Sequence, residues 1–323
     1  MPQNRSHIAA KIAGDFLTRC FQTGETIAIL LRRQSPRNTV QRIVKLESAV
    51  TSRYLSWLAH ENASGANIYV AANPICPGSR KRTKQSIAEI RRLYLDLDTD
   101  GDAKLGLLRS SNSVPVPSAI ISTSSGKYQV LWRVDGFTFA LQETTLKLLA
   151  IGFGGDPACT DCCRVLRVPG FLNQKYDPAQ LVTVEYLSDS TLTPEDFRLE
   201  TFQPEPRHLS DPIDARTAHG KRTNSERDWA WVLDELAQGK DALKLTCTLA
   251  DRRTDKPNPL YYAQRTVDVA SARLWLIEGV PISDIVTMLQ VRRRFEISSS
   301  LCSARALEIA LTAQRTILRK KIA

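Results

Sequence analysis

Asp96 and Asp98 stand two residues apart at the end of the apolar run Leu93-Tyr94-Leu95-Asp96-Leu97-Asp98. Side chains on a strand alternate between faces, so Tyr94, Asp96 and Asp98 share one side while Leu93, Leu95 and Leu97 take the other. Two carboxylates on one face repel. A hard divalent cation such as Mg²⁺ relieves that repulsion, since it takes oxygen ligands and often carries the phosphates of a substrate. A strand that merely ends in acidic, solvent-facing residues reads the same way, so the pair needs company. Lys127, Gln129 and Arg133 alternate onto one face of residues 127–134, and Asp161 stands just before the short apolar run 164–168.

Elements must hold these residues. Apolar spacing predicts a helix over 7–19, a strand over 25–31, a helix over 52–59 and a strand over 67–70, with 34–42 a polar connection. A loop at 74–84 then carries the basic residues Arg82 and Lys84, placed for a phosphate-bearing ligand such as the DNA backbone. After the acidic strand come a helix over 102–108, strands over 118–123 and 127–134 joined at Ser124-Ser125-Gly126, a helix over 139–151 and a strand over 164–168. Strand, helix, hairpin, helix, strand is the βαββαβ order of a ferredoxin-like or RRM-like unit, a mixed α/β (α+β) fold. In that order the acidic strand is central, paired with strand 127–134 and flanked by strand 164–168. Asp161 then approaches Asp96 and Asp98 on an open sheet face.

The 323 residues suffice for two domains, and 44 Lys and Arg against 34 Asp and Glu give a formal charge of +10. Such an excess favours a polyanionic partner, nucleic acid above all. No apolar run reaches the length of a membrane span, and the N-terminus lacks the charged-then-apolar order of a signal peptide, so the expectation is a cytoplasmic protein without a membrane partner. Seven cysteines, an odd number, argue against a disulfide framework. Cys159, Cys162 and Cys163 form a C-x-x-C-C cluster that lacks the second pair a structural zinc site uses.

Residues 1–200 read as the first domain, the polar, proline-bearing stretch 201–222 as a linker, and 223–323 as a helical bundle. Ser225 is the expected N-cap of its first helix with Asp228 at the capping-box position, and Gly239 and Gly279 are expected helix stops. Trp229, Trp231, Tyr261, Tyr262 and Trp275 read as bundle core. Arg252, Arg253, Arg292, Arg293 and Arg294 read as contacts to a DNA backbone.

Three blocks carry a family resemblance: LYLDLDTDG at 93–101, STSSGKYQVLW at 122–132, and GGDPACTDCCRVLRVPGFLNQK at 154–175. Together they resemble the RepB-type replicative primases of plasmids and other mobile elements, a branch of the archaeo-eukaryotic primase and primase-polymerase superfamily; the likeness runs from about residue 15 to 190. The resemblance implies Asp96, Asp98 and Asp161 as catalytic acids and metal ligands, and a nucleotide triphosphate held by Ser124, Lys127, Gln129, Arg164, Arg167, Asn173 and Lys175. Gln129 departs from the family, where a histidine usually stands; a glutamine donates a hydrogen bond but carries no charge.

The function so implied is a DNA-directed nucleotidyltransferase that makes primers on single-stranded DNA from NTPs or dNTPs by two-metal chemistry. A non-catalytic replication initiator or origin-binding protein on the same fold is the alternative. A DxD glycosyltransferase would leave the R-V-L-R-V-P-G-F block unexplained. No GxxxxGK[ST] loop occurs, so the expectation is that a separately encoded replicative helicase unwinds the duplex.

Overall fold

The computed structural model describes residues 2–34, 36–156, 158–197, 223–293 and 299–320. The chain divides into two units, Met1–Phe202 and Gln203–Ala323. The linker expected at 201–222 and Arg294 lie outside the described residues.

In the first unit the order is α1 (Pro2–Cys20), β1 (Thr26–Arg33), β2 (Asn38–Lys45), α2 (Leu46–Ala49), α3 (Ser52–Ala63), β3 (Asn67–Ala71) and β4 (Arg92–Leu97). It continues with α4 (Gly101–Ser110), β5 (Ala119–Ser124), β6 (Lys127–Arg133), α5 (Phe139–Phe153), β7 (Val165–Arg167), β8 (Leu172–Asn173), β9 (Gln180–Leu181) and β10 (Thr183–Tyr186). This is the mixed α/β core expected, and its strands form two four-stranded sheets, ordered β2-β1-β3-β7 and β10-β5-β6-β4.

The acidic strand β4 pairs with β6 as expected, with Asp96 opposite Gln129 and Leu97 opposite Tyr128. It is not central, however. The strand expected to flank it, β7, instead pairs with β3 in the other sheet, Tyr69 opposite Arg167. β4 therefore forms an edge of its sheet, and what covers that edge is chain from the α5–β7 connection: the Asp156 amide donates to the Asp96 carbonyl at 3.1 Å. A second strand in the first sheet, β2, occupies what reads as a polar connection. Its residues are mostly solvent-facing, so it shows no apolar alternation.

The inner side of β4 is the core. Leu93, Leu95 and Leu97 are at most 2% exposed, and burying each stabilises the fold by about 1.5–3 kcal/mol. α5 lies against them. Its Thr138 side chain accepts from the Leu141 amide at 3.2 Å as an N-cap, and its buried Gln142 donates to the Arg92 carbonyl at 2.9 Å. Where the chain leaves α5, a Cβ on Gly155 would stand 2.3 Å from Leu95 Cδ1 and 3.2 Å from the Asp96 carbonyl oxygen, so a larger residue there has to displace the buried Leu95 side chain.

The second unit contains α6 (Asn224–Ala237), α7 (Ala242–Arg252), α8 (Pro259–Ile277), α9 (Ile282–Arg292) and α10 (Ser299–Lys320). Its first helix is capped at Thr223 with Glu226 in the capping box, two residues before the expected Ser225 and Asp228. Two apolar clusters hold the helices, with Trp229 packed against both, Trp231 and Tyr262 against one and Trp275 against the other.

The arginines expected on DNA divide by environment. Arg293, expected on a DNA backbone, is instead 2% exposed and pairs with the equally buried Asp268 at 2.9 Å, so it is an internal counter-ion. Arg253 is also engaged internally, with Asp228 at 3.3 Å and Asp255 at 3.0 Å. Arg292 pairs with Asp268 at 3.1 Å. Arg252 is exposed, its guanidinium 4.2 Å from the centroid of Trp231. No helix among the described residues is long and apolar enough to cross a membrane.

Candidate active site

A cavity of about 340 Å³ takes lining residues from both sheets of the first unit, within the ~300–1,000 Å³ common for small-ligand sites. One sheet supplies Asp96 from β4, Asp98 just past its end, Ser124 from β5, and Lys127 and Gln129 from β6. The other supplies Arg167 from β7, with Asp161 and Arg164 on the approach to it and Asn173 and Lys175 beyond it. All ten residues picked out as catalytic or nucleotide-binding thus line one cavity.

Asp96 is buried, and both its oxygens are engaged. Gln129 Nε2 donates to Oδ1 at 2.9 Å. Arg164 donates to Oδ2 from Nε at 3.1 Å and from Nη2 at 2.5 Å. Burial acts to lower the Arg164 guanidinium, but the Asp96 charge and hydrogen bond, with Cys159 and Asp156 adding to them, leave its pKa raised. Gln129 also uses its other end: Oε1 accepts from the Arg167 amide at 2.9 Å. One side chain therefore ties the acid on β4 to the backbone of β7, across the two sheets.

The loop bearing Asp161 is pinned on several sides. Tyr94 donates from its hydroxyl to the Asp161 carbonyl, and Arg82 from Nη1 to the Cys163 carbonyl. Asn73, fully buried, donates to the Cys162 carbonyl at 3.0 Å and accepts from the amides of Arg91 and Arg92 at the start of β4. Asp161 Oδ1 accepts from the Cys163 amide at 2.8 Å. Arg82, expected to face a phosphate-bearing ligand, lines the cavity, whereas Lys84 is exposed and pairs with Glu143 at 3.5 Å. Arg133, expected beside the acids, instead donates to the carbonyls of Asp189 and Arg19 and does not line the cavity.

Asp98 is set by bare backbone. A Cβ on Gly101, the first residue of α4, would stand 2.2 Å from the Gly126 carbonyl oxygen, so the acid loop rests directly on the β5–β6 turn. Asn173 donates to the Thr123 carbonyl at 2.8 Å and accepts from the Lys175 amide at 3.2 Å, which ties the Lys175 segment to β5. Of the cysteines, Cys163 lines the cavity, Cys162 Sγ is 3.9 Å from Cys163 Sγ, and Cys159 donates to Asp156.

Among the described residues, no three His, Cys, Asp or Glu side chains are grouped tightly enough to hold a metal ion as they stand. The donor chemistry nonetheless fits a hard divalent cation: three carboxylates line one polar cavity, and the guanidinium of Arg164 occupies the cationic position at Asp96.

Arg32, Tyr69 and Tyr176 also line the cavity and escape a reading of the sequence. Tyr176 follows Lys175 directly, and the Ser124 hydroxyl lies 3.4 Å from its own. That hydrogen bond to Ser124, with Lys127 and Lys175 assisting against burial, lowers the Tyr176 pKa. Arg32 and Tyr69 sit on β1 and β3, and only the pairing of those strands with each other and with β7 brings them here.

Residues 34–186 match the family model of the RepB DNA-primase N-terminal domain. A replication protein of Clostridium perfringens is 28% identical over an alignment of 138 positions, which covers 38% of this chain and 33% of that protein. The chain thus spans about a third of the length of that curated relative. Among solved structures, primase RepB′ is 15% identical, covering 96% of this chain and 99% of that one with a TM-score of 0.47. The catalytic domain of primase RepB′ in complex with initiator DNA is 19% identical over 60% of this chain and 92% of that one, TM-score 0.45. The AEP domain of the cyanophage S-2L primase-polymerase is 13% identical over 58% and 95%, TM-score 0.47.

Proposed function

We propose, from the match of residues 34–186 to the RepB DNA-primase N-terminal domain model, that the chain is a DNA-directed nucleotidyltransferase that makes primers on single-stranded DNA during replication of a plasmid or other mobile element. The observation that carries this reading is the meeting of Asp96, Asp98 and Asp161 with Lys127, Arg164, Arg167 and Lys175 in one cavity. Carboxylates alone could bind a cation and bases alone an anion. Both together suit a metal-bound polyphosphate, whose transfer depends on positioning and charge stabilisation.

Asp96, Asp98 and Asp161 would hold Mg²⁺ or Mn²⁺. Bound there, such ions would activate an attacking 3′-hydroxyl and offset the charge of the departing pyrophosphate. Lys127 and Lys175 would attract the triphosphate, NTP or dNTP, and Arg164 would neutralise phosphate charge once it leaves Asp96. Gln129 keeps Asp96 oriented through its amide nitrogen. The chain's charge of +10 supports a nucleic-acid template. Unwinding falls to a separately encoded helicase in a cytoplasmic replication complex.

An initiator that binds DNA without catalysis is the second reading, and one observation favours it: Asp96 is already satisfied by Arg164 and Gln129. Template-directed synthesis on single-stranded DNA, with labelled NTPs or dNTPs and with or without Mg²⁺ or Mn²⁺, separates the two. Extension only when metal is present is expected; binding of the template with no incorporation under any metal would leave the initiator.

A further inference from the structure

Six cationic and three acidic side chains line the cavity. Arg164 is spent on Asp96, and Arg82 on the Cys163 carbonyl. Among the described residues, none of Arg32, Lys127, Arg167 and Lys175 has a carboxylate ion-pair partner. Two of these four are held together against electrostatics. The guanidiniums of Arg32 and Arg167 both lie over the ring of Tyr69, 5.6 and 4.8 Å from its centroid. An aromatic face attracts each cation, but it does not neutralise two of them.

Arg167 is the more buried of the pair. Burial first, and the nearby Arg32 charge in the same direction, lower its pKa, with Tyr69, Tyr176 and Asp98 opposing. The fold nevertheless fixes its position. Nη1 donates to Asn67 Oδ1 at 2.7 Å, and Asn67 is itself 2% exposed. The remaining guanidinium N–H groups have no protein acceptor among the described residues. A partly desolvated cation such as Arg167 is kept where something anionic completes it. The pair is also connected to the acids, since the Arg167 amide donates to Gln129, whose other end donates to Asp96.

We propose that Arg32 and Arg167, held over Tyr69 on the wall built by β1, β3 and β7, form a seat for a phosphoryl anion in the cavity. The proposal deepens the nucleotidyl-transfer reading of the same cavity by naming a phosphate contact, Arg32, that lies outside all three sequence blocks. The anion has two possible sources with one chemistry: the polyphosphate tail of a nucleotide, or a phosphodiester of the strand.

The test is equilibrium binding by the full chain of three probes, inorganic tripolyphosphate, ATP and a single-stranded oligodeoxynucleotide, at two salt concentrations. The variants are Arg32→Ala and, as a matched charge loss outside the cavity, Arg42→Ala. Arg32 is exposed, so its replacement leaves the core intact, and Arg42 stands over Trp57 on β2. Arg32→Ala is expected to weaken binding ~10-fold or more, with Arg42→Ala near wild type. Loss confined to tripolyphosphate and ATP assigns the seat to the nucleotide tail; loss confined to the oligonucleotide assigns it to the strand.

Unchanged binding of all three probes by Arg32→Ala, or an equal loss in Arg42→Ala, overturns the proposal. Primer synthesis is scored separately. Synthesis with Arg32-independent binding sinks the seat alone, and Arg32-dependent anion binding without synthesis sinks the catalytic reading alone.

Discussion

Arg164 and Asp96 form a two-donor ion pair, Nε at 3.1 Å and Nη2 at 2.5 Å from one carboxylate oxygen, with the Asp96 side chain 6% exposed. The acid that heads the candidate metal set thus already has a cation of its own, supplied from the other sheet.

Removing either member exposes the imbalance. Arg164→Ala leaves a buried carboxylate without its counter-ion and is expected to cost up to ~3 kcal/mol, the low end for buried pairs because Arg164 is partly solvated. Denaturant midpoints measure it. Adding Asp96→Asn should restore part of the loss, and a double-mutant cycle with no coupling would contradict the pair's role.

Asp98 has no ion-pair partner among the described residues and lies past the strand end, so Asp98→Ala is expected to leave the melting temperature within a few degrees. Metal-dependent incorporation should fall ~100-fold or more in the same variant. Retained synthesis would remove Asp98 from the metal set.

Gln129 has both ends of its amide engaged, so the expectation is that it positions Asp96 and does not grip the triphosphate directly. Gln129→Leu is expected to lower stability by about 1–3 kcal/mol, since it strands a buried acceptor and a buried amide. It should also weaken Mn²⁺ binding, read by paramagnetic resonance, while the KM for nucleotide stays near wild type. A raised KM with unchanged Mn²⁺ affinity would place Gln129 on the nucleotide instead.

In the helical unit the two arginine environments predict opposite phenotypes. Arg293→Ala leaves Asp268 short of its buried partner and should cost ~3–5 kcal/mol in unfolding experiments. Arg252→Ala should change stability by less than about 0.5 kcal/mol, and, if Arg252 meets the DNA backbone, should reduce the salt slope of single-stranded DNA binding by about 1.

Burial pushes the Cys20 thiol above its ordinary value of 9.0, against the opposing charges of Arg92 and Arg133. The folded chain then holds this proton after the unfolded chain has released it. Stability from this group is complete below about pH 9 and declines as pH rises toward the folded value. Urea midpoints at pH 8 and pH 10 should fall further apart in the wild type than in Cys20→Ala.

The site was legible in the sequence to the extent that its residues are contiguous. Asp96 ends an apolar strand with Asp98 just beyond it, and Asp161 to Lys175 form one block, so spacing and resemblance find them. What spacing does not carry is which strand pairs with which. β7 joins β3 and not β4, a long-range choice that leaves β4 at an edge and brings Arg32 and Tyr69 into the cavity. β2 is hidden because an outer strand facing solvent has no reason to alternate. The adjacent Arg292 and Arg293 mislead for the same kind of reason: each residue along a helix end turns to a new direction, and Arg293 turns inward to an aspartate twenty-five positions earlier.

The contact between Gly101 and the Gly126 carbonyl acts as a gauge block for the cavity. Its thickness is that of two peptide groups, the thinnest spacer a chain can make, and it fixes how far the loop of Asp98 stands from the hairpin tip that carries Ser124 and Lys127. Any side chain inserted there could only widen the gap. The distance between acid and base in this cavity is therefore adjustable in one direction alone, and the native chain already sits at its minimum.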